Sequence, residues 1–208
     1  MLGFLGYKFT ANRLAKKLEV NSLLMKDPNI TILVKKIEHS LGIEEIKVYV
    51  LEDLNLNGVA SPDGKVFITR GFLEKYYNGF FSAEELFGVI THELGHHALG
   101  HTKKRMVAYT VQNTLQMGLG FALSRVIPFL GNYLSMILLR IVSAKLSRMD
   151  EYAADEYAAA LMLKIGLDIT PLVDLFSKLE KLNNNQNQTL TWLQSHPPPR
   201  PNISNKKT

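Results

Sequence analysis

His92 and His96 stand four residues apart with Glu93 beside the first, in the run His92-Glu93-Leu94-Gly95-His96. On an α-helix, residues i and i+4 share a face, so two imidazoles at this spacing can address one ion. Glu93 is turned away by one residue, which suits a carboxylate that works on an ion-bound water rather than on the ion itself. Zinc lowers the pKa of such a water from about 15.7 toward about 7, within reach of a carboxylate base at neutral pH. The chemistry implied is metal-assisted hydrolysis.

A catalytic zinc needs a third protein ligand and one open position. The chain has no cysteine, so thiolates are excluded and the ligands must be His or carboxylate. Three residues compete. His101 is one, but the metzincin spacing asks for Gly seven and His ten residues after the first His. Here Gly100 is eight and His101 nine residues after His92, which leaves His101 behind the ligands or at the surface. Glu156 is another, turned well away from Glu151 on a helix. The third is Glu151, in Glu151-Tyr152-Ala153-Ala154-Asp155, where Glu151 and Asp155 again share a face. Two acids on a helix usually face solvent. With the histidine pair upstream the favoured reading reverses: Glu151 ligates, Asp155 accepts a hydrogen bond from the far nitrogen of a ligating His, and Ala153 and Ala154 permit close helix packing.

These residues need elements to hold them. Residues from about Phe9 to Met25 carry apolar positions at helical spacing. Asp27-Pro28 reads as a helix start and Gly42 as its end, with Ile30, Leu33, Val34 and Ile37 on one face. The period then changes to two. Ile46, Val48 and Val50 read as a strand, Asn57-Gly58-Val59-Ala60 as a second and Val66 to Thr69 as a third, a small antiparallel sheet within residues 46–73. Ser82 with Glu85 forms a capping box that opens a helix over 82–105 containing the histidine pair. Residues 106–142 are rich in Leu, Ile, Met and Phe, interrupted by Arg125, Pro128, Asn132 and Arg140. An Ala-rich helix over 147–165 carries Glu151 and Asp155, and Thr170-Pro171 starts a last helix reaching about Leu182. Trp192 is expected to pack the tail back onto the domain. The fold class expected is α+β, mostly helical.

The 208 residues suffice for one domain with a core. The net charge of +5 comes from scattered basic residues without interleaved aromatics, so nucleic acid is not an expected partner. Met1 to Lys8 lacks the length and flanks of a secretory signal.

The combination of His92-Glu93-Leu94-Gly95-His96 with Ser147-Arg148-Met149-Asp150-Glu151-Tyr152-Ala153-Ala154-Asp155 resembles the HtpX / CAAX prenyl endopeptidase family of gluzincins, as does the Thr69-Arg70-Gly71 ending of the strand region. The similarity runs from about Ile46 to Ile203. It implies a gluzincin-type metallopeptidase; the single domain is read as 1–203, with 204–208 a disordered tail. It implies one zinc per chain on His92, His96 and Glu151, with Glu93 as general base and a protein or peptide as substrate. It also implies that Asn57, Gly58, Val59 and Ala60 form an edge to which an extended substrate adds. The family's late His-Pro motif matches His196-Pro197, which assigns His196 to the oxyanion of the tetrahedral intermediate. Ile203 matches too, but Asn202 stands where the family has Arg, and Arg200 lies two residues early. Family members place membrane-spanning helices between the zinc motifs. Here the interruptions favour a buried or partly exposed helical hairpin over the site, with a membrane-dipping hairpin at 106–142 as the alternative. The expectation is a cytoplasmic endopeptidase, with membrane association open and oligomeric state unassigned, in protein quality control. A second reading is a zinc-stabilised chaperone or interaction module with latent peptidase activity.

Overall fold

The computed structural model describes residues 15–127 and 130–185 together with Trp192 and His196. Helix α1 (Pro28–Leu41) follows the sequence signals closely. The Asp27 carboxylate accepts from the backbone N–H groups of Asn29 and Ile30, Pro28 occupies the first turn, and Gly42 closes the helix at φ 66°. Ile30, Leu33, Val34 and Ile37 are its buried face.

The sheet differs from expectation in two ways. The described part of the first helix covers residues 15–20, and Ser22–Leu24 leave it as strand β1. The four strands, β1, β2 (Val48–Leu51), β3 (Gly58–Ala60) and β4 (Val66–Thr69), lie in the order β1-β2-β4-β3. Strand β1 pairs antiparallel with β2, and β3 antiparallel with β4, but β2 and β4 run parallel with Val50 opposite Ile68. The sheet is therefore mixed rather than antiparallel. Strand β3 folds back on the outer side of β4, so β4 enters the centre running the same way as β2. All four β4 residues are buried, as a central strand covered on both faces requires.

Helix α2 (Arg70–Tyr77) leads to α3 (Ala83–Ala98), whose start is the expected capping box: Ser82 Oγ accepts from the Glu85 N–H and the Glu85 carboxylate accepts from the Ser82 N–H. Helix α3 is the centre of the molecule. Leu86, Phe87, Val89 and Ile90 are fully buried, each contributing about 1.5–3 kcal/mol of transfer free energy. The sheet, α1 and two later helices pack around it.

Helix α3 does not run through His101. It ends at Ala98, Gly100 turns left-handed at φ 69°, and α4 (His101–Val126) starts on a new axis. Helix α5 (Gly131–Lys164) is also longer than expected, because nothing between Arg140 and Ser147 can stop a helix. Helices α4 and α5 form a hairpin whose arms pack chiefly on each other; only the C-terminal half of α5 reaches the core, through Ala154, Ala158, Leu161 and Met162. The described part of the hairpin beyond its base therefore projects from the core. Among the described residues, no helix is long and apolar enough to cross a membrane. Helix α6 (Thr170–Asn185) packs Leu172 and Leu175 against α3 at Gly88, where a Cβ would come within 3.1 Å of the Leu172 side chain.

Candidate metal centre

Four buried side chains converge between α3, α5 and the tail: His92, His96, Glu151 and His196, whose donor atoms all lie within 4.8 Å of one another. Helix α3 supplies the two histidines one turn apart. Helix α5 supplies Glu151, and a close helix crossing brings it in. At that crossing a Cβ on Gly95 would sit 3.0 Å from the Ala154 carbonyl oxygen and 3.1 Å from its Cα. Glycine at 95 and alanine at 154 let the two backbones touch. Ala154 is fully buried there, while Ala153 is only partly so. Glu156 is exposed and takes no part.

The spacing of the innermost atoms is informative. His92 Nε2 and His96 Nε2 are 3.1 Å apart, and Glu151 Oε2 is 3.4 Å from each. An ion bonded tetrahedrally at about 2.0–2.1 Å separates its ligands by about 3.3 Å, so these three atoms already occupy three corners of a zinc-sized tetrahedron. His196 Nε2 is 4.0 Å from Glu151 Oε2, longer than such an edge, and 3.4 Å from Glu93 Oε1. Glu93 is buried, and its Oε1 has no hydrogen-bond partner among the described residues. Burying so many polar groups together is costly unless something pairs them. Histidine nitrogens, a carboxylate and the orphaned Glu93 oxygen suit a borderline cation such as zinc with a fourth corner open beside Glu93 and His196.

Behind these atoms each histidine has a partner. His92 Nδ1 lies 2.8 Å from Asp155 Oδ1, a donation that turns the Nε2 lone pair toward the cluster. His96 Nδ1 lies 3.0 Å from His101 Nδ1, and His101 Nε2 lies 3.4 Å from Asp150 Oδ1. The Gly100 turn puts His101 there. Helical spacing could not reveal this contact, because the two histidines sit on different helices. Trp192 is fully buried, stacks on His196 with ring centroids 4.1 Å apart and covers His92 at 5.4 Å. Its backbone N–H donates to the Leu56 carbonyl, which ties the tail to the segment before β3. The sequence marks Trp192 as a packing residue; that it walls the histidine cluster comes from the structure alone.

Electrostatics follow from burial and proximity. Burial pulls the His92 pKa down, but the Asp155 and Glu151 carboxylates outweigh it and raise the value to about 9 in the metal-free site. Burial works to raise Glu151, yet His92 and His96 hold it well below the usual carboxylate range. Glu93 is raised, chiefly by burial and partly by the Glu151 charge, against the opposing pull of His92, His96 and the Ala60 N–H.

That Ala60 contact places β3 at the site. Among the described residues, strand β3 is an edge of the sheet, with β4 its one neighbour. Asn57 is fixed before it: its N–H donates to Thr69 Oγ1 and its side-chain oxygen accepts from the Gly58 N–H. A Cβ on Gly58 would meet the Trp192 ring at 3.0 Å and Glu93 Oε1 at 3.1 Å, so glycine leaves Glu93 its position. Val59 is partly exposed between buried Gly58 and Ala60. Arg200, Asn202 and Ile203, which bear on the late motif, lie outside the described residues.

A sequence model of peptidase family M48 matches residues 25–205. Metalloprotease YcaL of Escherichia coli (strain K12) is 32% identical over 158 residues, which cover 73% of this chain and 56% of the relative. Metalloprotease LoiP of the same organism is 28% identical over 144 residues, covering 69% of this chain and 54% of the relative. The chain thus spans about half the length of the curated relatives it matches.

Proposed function

Because the chain belongs to peptidase family M48, we propose that it is a zinc-dependent endopeptidase, with His92, His96 and Glu151 holding the ion and Glu93 as general base. The observation that carries this reading is the triangle of His92 Nε2, His96 Nε2 and Glu151 Oε2 at tetrahedral-edge spacing, with the orphaned Glu93 Oε1 beside the fourth corner. When bound, zinc polarises a carbonyl and acidifies a water. Glu93 takes the proton from the attacking water and returns it to the leaving amine, work for which a carboxylate with a raised pKa is suited. His196 offers its Nε2–H to the developing oxyanion from a point 3.4 Å from Glu93 Oε1. Asp155 holds His92 in the tautomer that presents Nε2. An extended substrate adds to the β3 edge from Asn57 to Ala60, beside Glu93. Folded proteins rarely offer an extended segment, so unfolded chains are the favoured substrate class, in keeping with protein quality control. The test is chelator-sensitive cleavage of casein by protein carrying one zinc per chain; casein left intact by the zinc-loaded protein would overturn the reading.

His101 and Asp150 act through His96. If His96 Nδ1–H donates to His101 Nδ1, the second His101 nitrogen carries its proton toward Asp150, and His96 Nε2 is left as a lone pair for the ion. Partners of this kind are worth about 10- to 100-fold in metal affinity. His101→Ala is therefore expected to weaken zinc binding by about that factor in a chelator competition assay. Asp150→Asn gives a smaller loss, because one hydrogen bond remains available. A wild-type zinc affinity in both variants would refute the arrangement.

The raised His92 pKa makes zinc loading pH-dependent. Below about 9 the metal-free imidazole holds a proton that must leave before Nε2 can ligate, so affinity rises with pH up to that value. Calorimetric titration at pH 7 in two buffers of different ionisation enthalpy should return a proton released from His92 for each zinc bound. A heat independent of the buffer would contradict it.

A further inference from the structure

The chain's one tryptophan, Trp192, is fully buried and touches several parts of the site at once. Its indole stacks on the His196 ring, with centroids 4.1 Å apart and planes 19° from parallel. The backbone holds the same pair together. The His196 N–H donates to the Trp192 carbonyl at 2.7 Å, a helical turn that sets residues i and i+4 on one face. His196 Nδ1 lies 3.3 Å from that carbonyl oxygen, and the opposite ring nitrogen, Nε2, lies 3.4 Å from Glu93 Oε1. The indole also meets the edge strand. A Cβ on Gly58 would come within 3.0 Å of Trp192 Cζ3, and the Trp192 backbone N–H donates to the Leu56 carbonyl. Phe72, itself fully buried, meets the indole edge-on with centroids 5.7 Å apart, which leaves the ring little room to shift.

We propose that Trp192 is a positioning residue for the reaction: it sets where His196 Nε2 stands relative to the open corner and to a substrate strand lying on β3. Resting on the peptidase reading, this role adds a residue that touches neither the ion nor the reacting atoms. His196 comes from the tail rather than from α3 or α5, and its Nε2 is 4.0 Å from Glu151 Oε2, wider than the edge of the donor triangle. Its place therefore depends on what packs against its ring. A flat aromatic face at stacking distance fixes the plane of the imidazole, which an aliphatic side chain of similar bulk cannot do. The ties to Leu56 and Gly58 make the same indole a neighbour of the strand on which substrate would lie, so donor and substrate share one support. Misplacing a reacting group by about 1 Å can cost about 10²-fold in rate. Packing and positioning make different demands. Packing needs volume alone, whereas positioning needs a flat ring and acts only through His196.

The test compares Trp192→Leu, Trp192→Phe, His196→Ala and the Trp192→Leu/His196→Ala pair, each loaded with zinc, on fluorescein-labelled casein. Trp192→Met joins the series as a second aliphatic filling in case the leucine variant does not fold. His196→Ala is expected to lower kcat by about 10²- to 10³-fold. Trp192→Leu should lower kcat by about 10- to 100-fold and move KM by less than about threefold, since β3 keeps its pairing with β4. Trp192→Phe, whose ring can still stack, should recover most of that loss. In the double variant the leucine should cost nothing beyond the loss caused by His196→Ala, because the two residues act as one unit. A further readout needs no cleavage. All tryptophan emission comes from Trp192, and in the metal-free protein it should rise in His196→Ala, where a stacked imidazole no longer quenches it. Losses that multiply in the double variant, a phenylalanine variant as slow as the aliphatic ones, a loss confined to KM or to the melting temperature, or emission unchanged by His196→Ala would each overturn the proposal. Casein left intact by the zinc-loaded wild type would overturn the peptidase reading itself, a failure that the emission of Trp192 distinguishes from a misplaced stack.

Discussion

Glu93→Gln is expected to retain one zinc per chain and to cleave casein about 10²- to 10⁴-fold more slowly than the wild type, the usual contribution of a positioned general base. The substitution keeps the shape of the side chain and removes its ability to accept a proton. Glu93 Oε1 is buried, lies beside the open corner of the donor triangle and lacks a hydrogen bond among the described residues, and it is the carboxylate there that the ion would leave free to accept a proton. The measurement needs two readouts on one preparation, metal content and turnover. Zinc retained with turnover lost assigns the proton transfer to Glu93. Turnover at the wild-type rate would remove Glu93 from the mechanism and leave the family's usual chemistry without a base in this chain. The fold should survive, and gain a little stability, because a neutral amide replaces an acid that burial already disfavours as an anion.

Glu151→Ala should act on the metal first. It removes one of the three atoms at tetrahedral-edge spacing and the negative charge that opposes the cation. Zinc bound by protein ligands is worth about 10–16 kcal/mol where a site is complete, so loss of one ligand should weaken zinc by about 10²- to 10³-fold, with activity falling in parallel at limiting metal. Added zinc should restore part of the activity if the histidines alone still hold the ion. Wild-type affinity in this variant would move the third ligand to another donor, with His196 the nearest in the cluster. The variant also removes one of the three carboxylates that raise the His92 pKa, with Asp155 and Glu93 remaining, so its metal-free site should shed the His92 proton at lower pH.

Much of the site is legible in the chain because it is built from local periodicities. The i, i+4 spacing of His92 and His96, the same spacing of Glu151 and Asp155, and the capping box at Ser82 are short-range geometry, and helices obey it wherever they lie. The helix started by Asp27 and Pro28 and ended by Gly42 follows for the same reason. The absence of cysteine narrowed the ligand chemistry without any structure.

Tertiary structure decided what depends on how those helices meet. A single left-handed turn at Gly100 starts a new helix axis, and that redirection, rather than any periodic position, puts His101 against His96. The approach of α5 to α3 rests on Gly95 meeting the Ala154 backbone, a fit between two surfaces distant in sequence. The parallel pairing of β2 with β4 comes from where β3 folds back, which alternation of apolar residues cannot specify because period two is the same for either strand direction. The hairpin shows the division most plainly. The absence of acids between Glu93 and Asp150 is written in the sequence, whereas the exposure of Met117, Phe121 and Tyr133 exists only because α4 and α5 pack chiefly on each other.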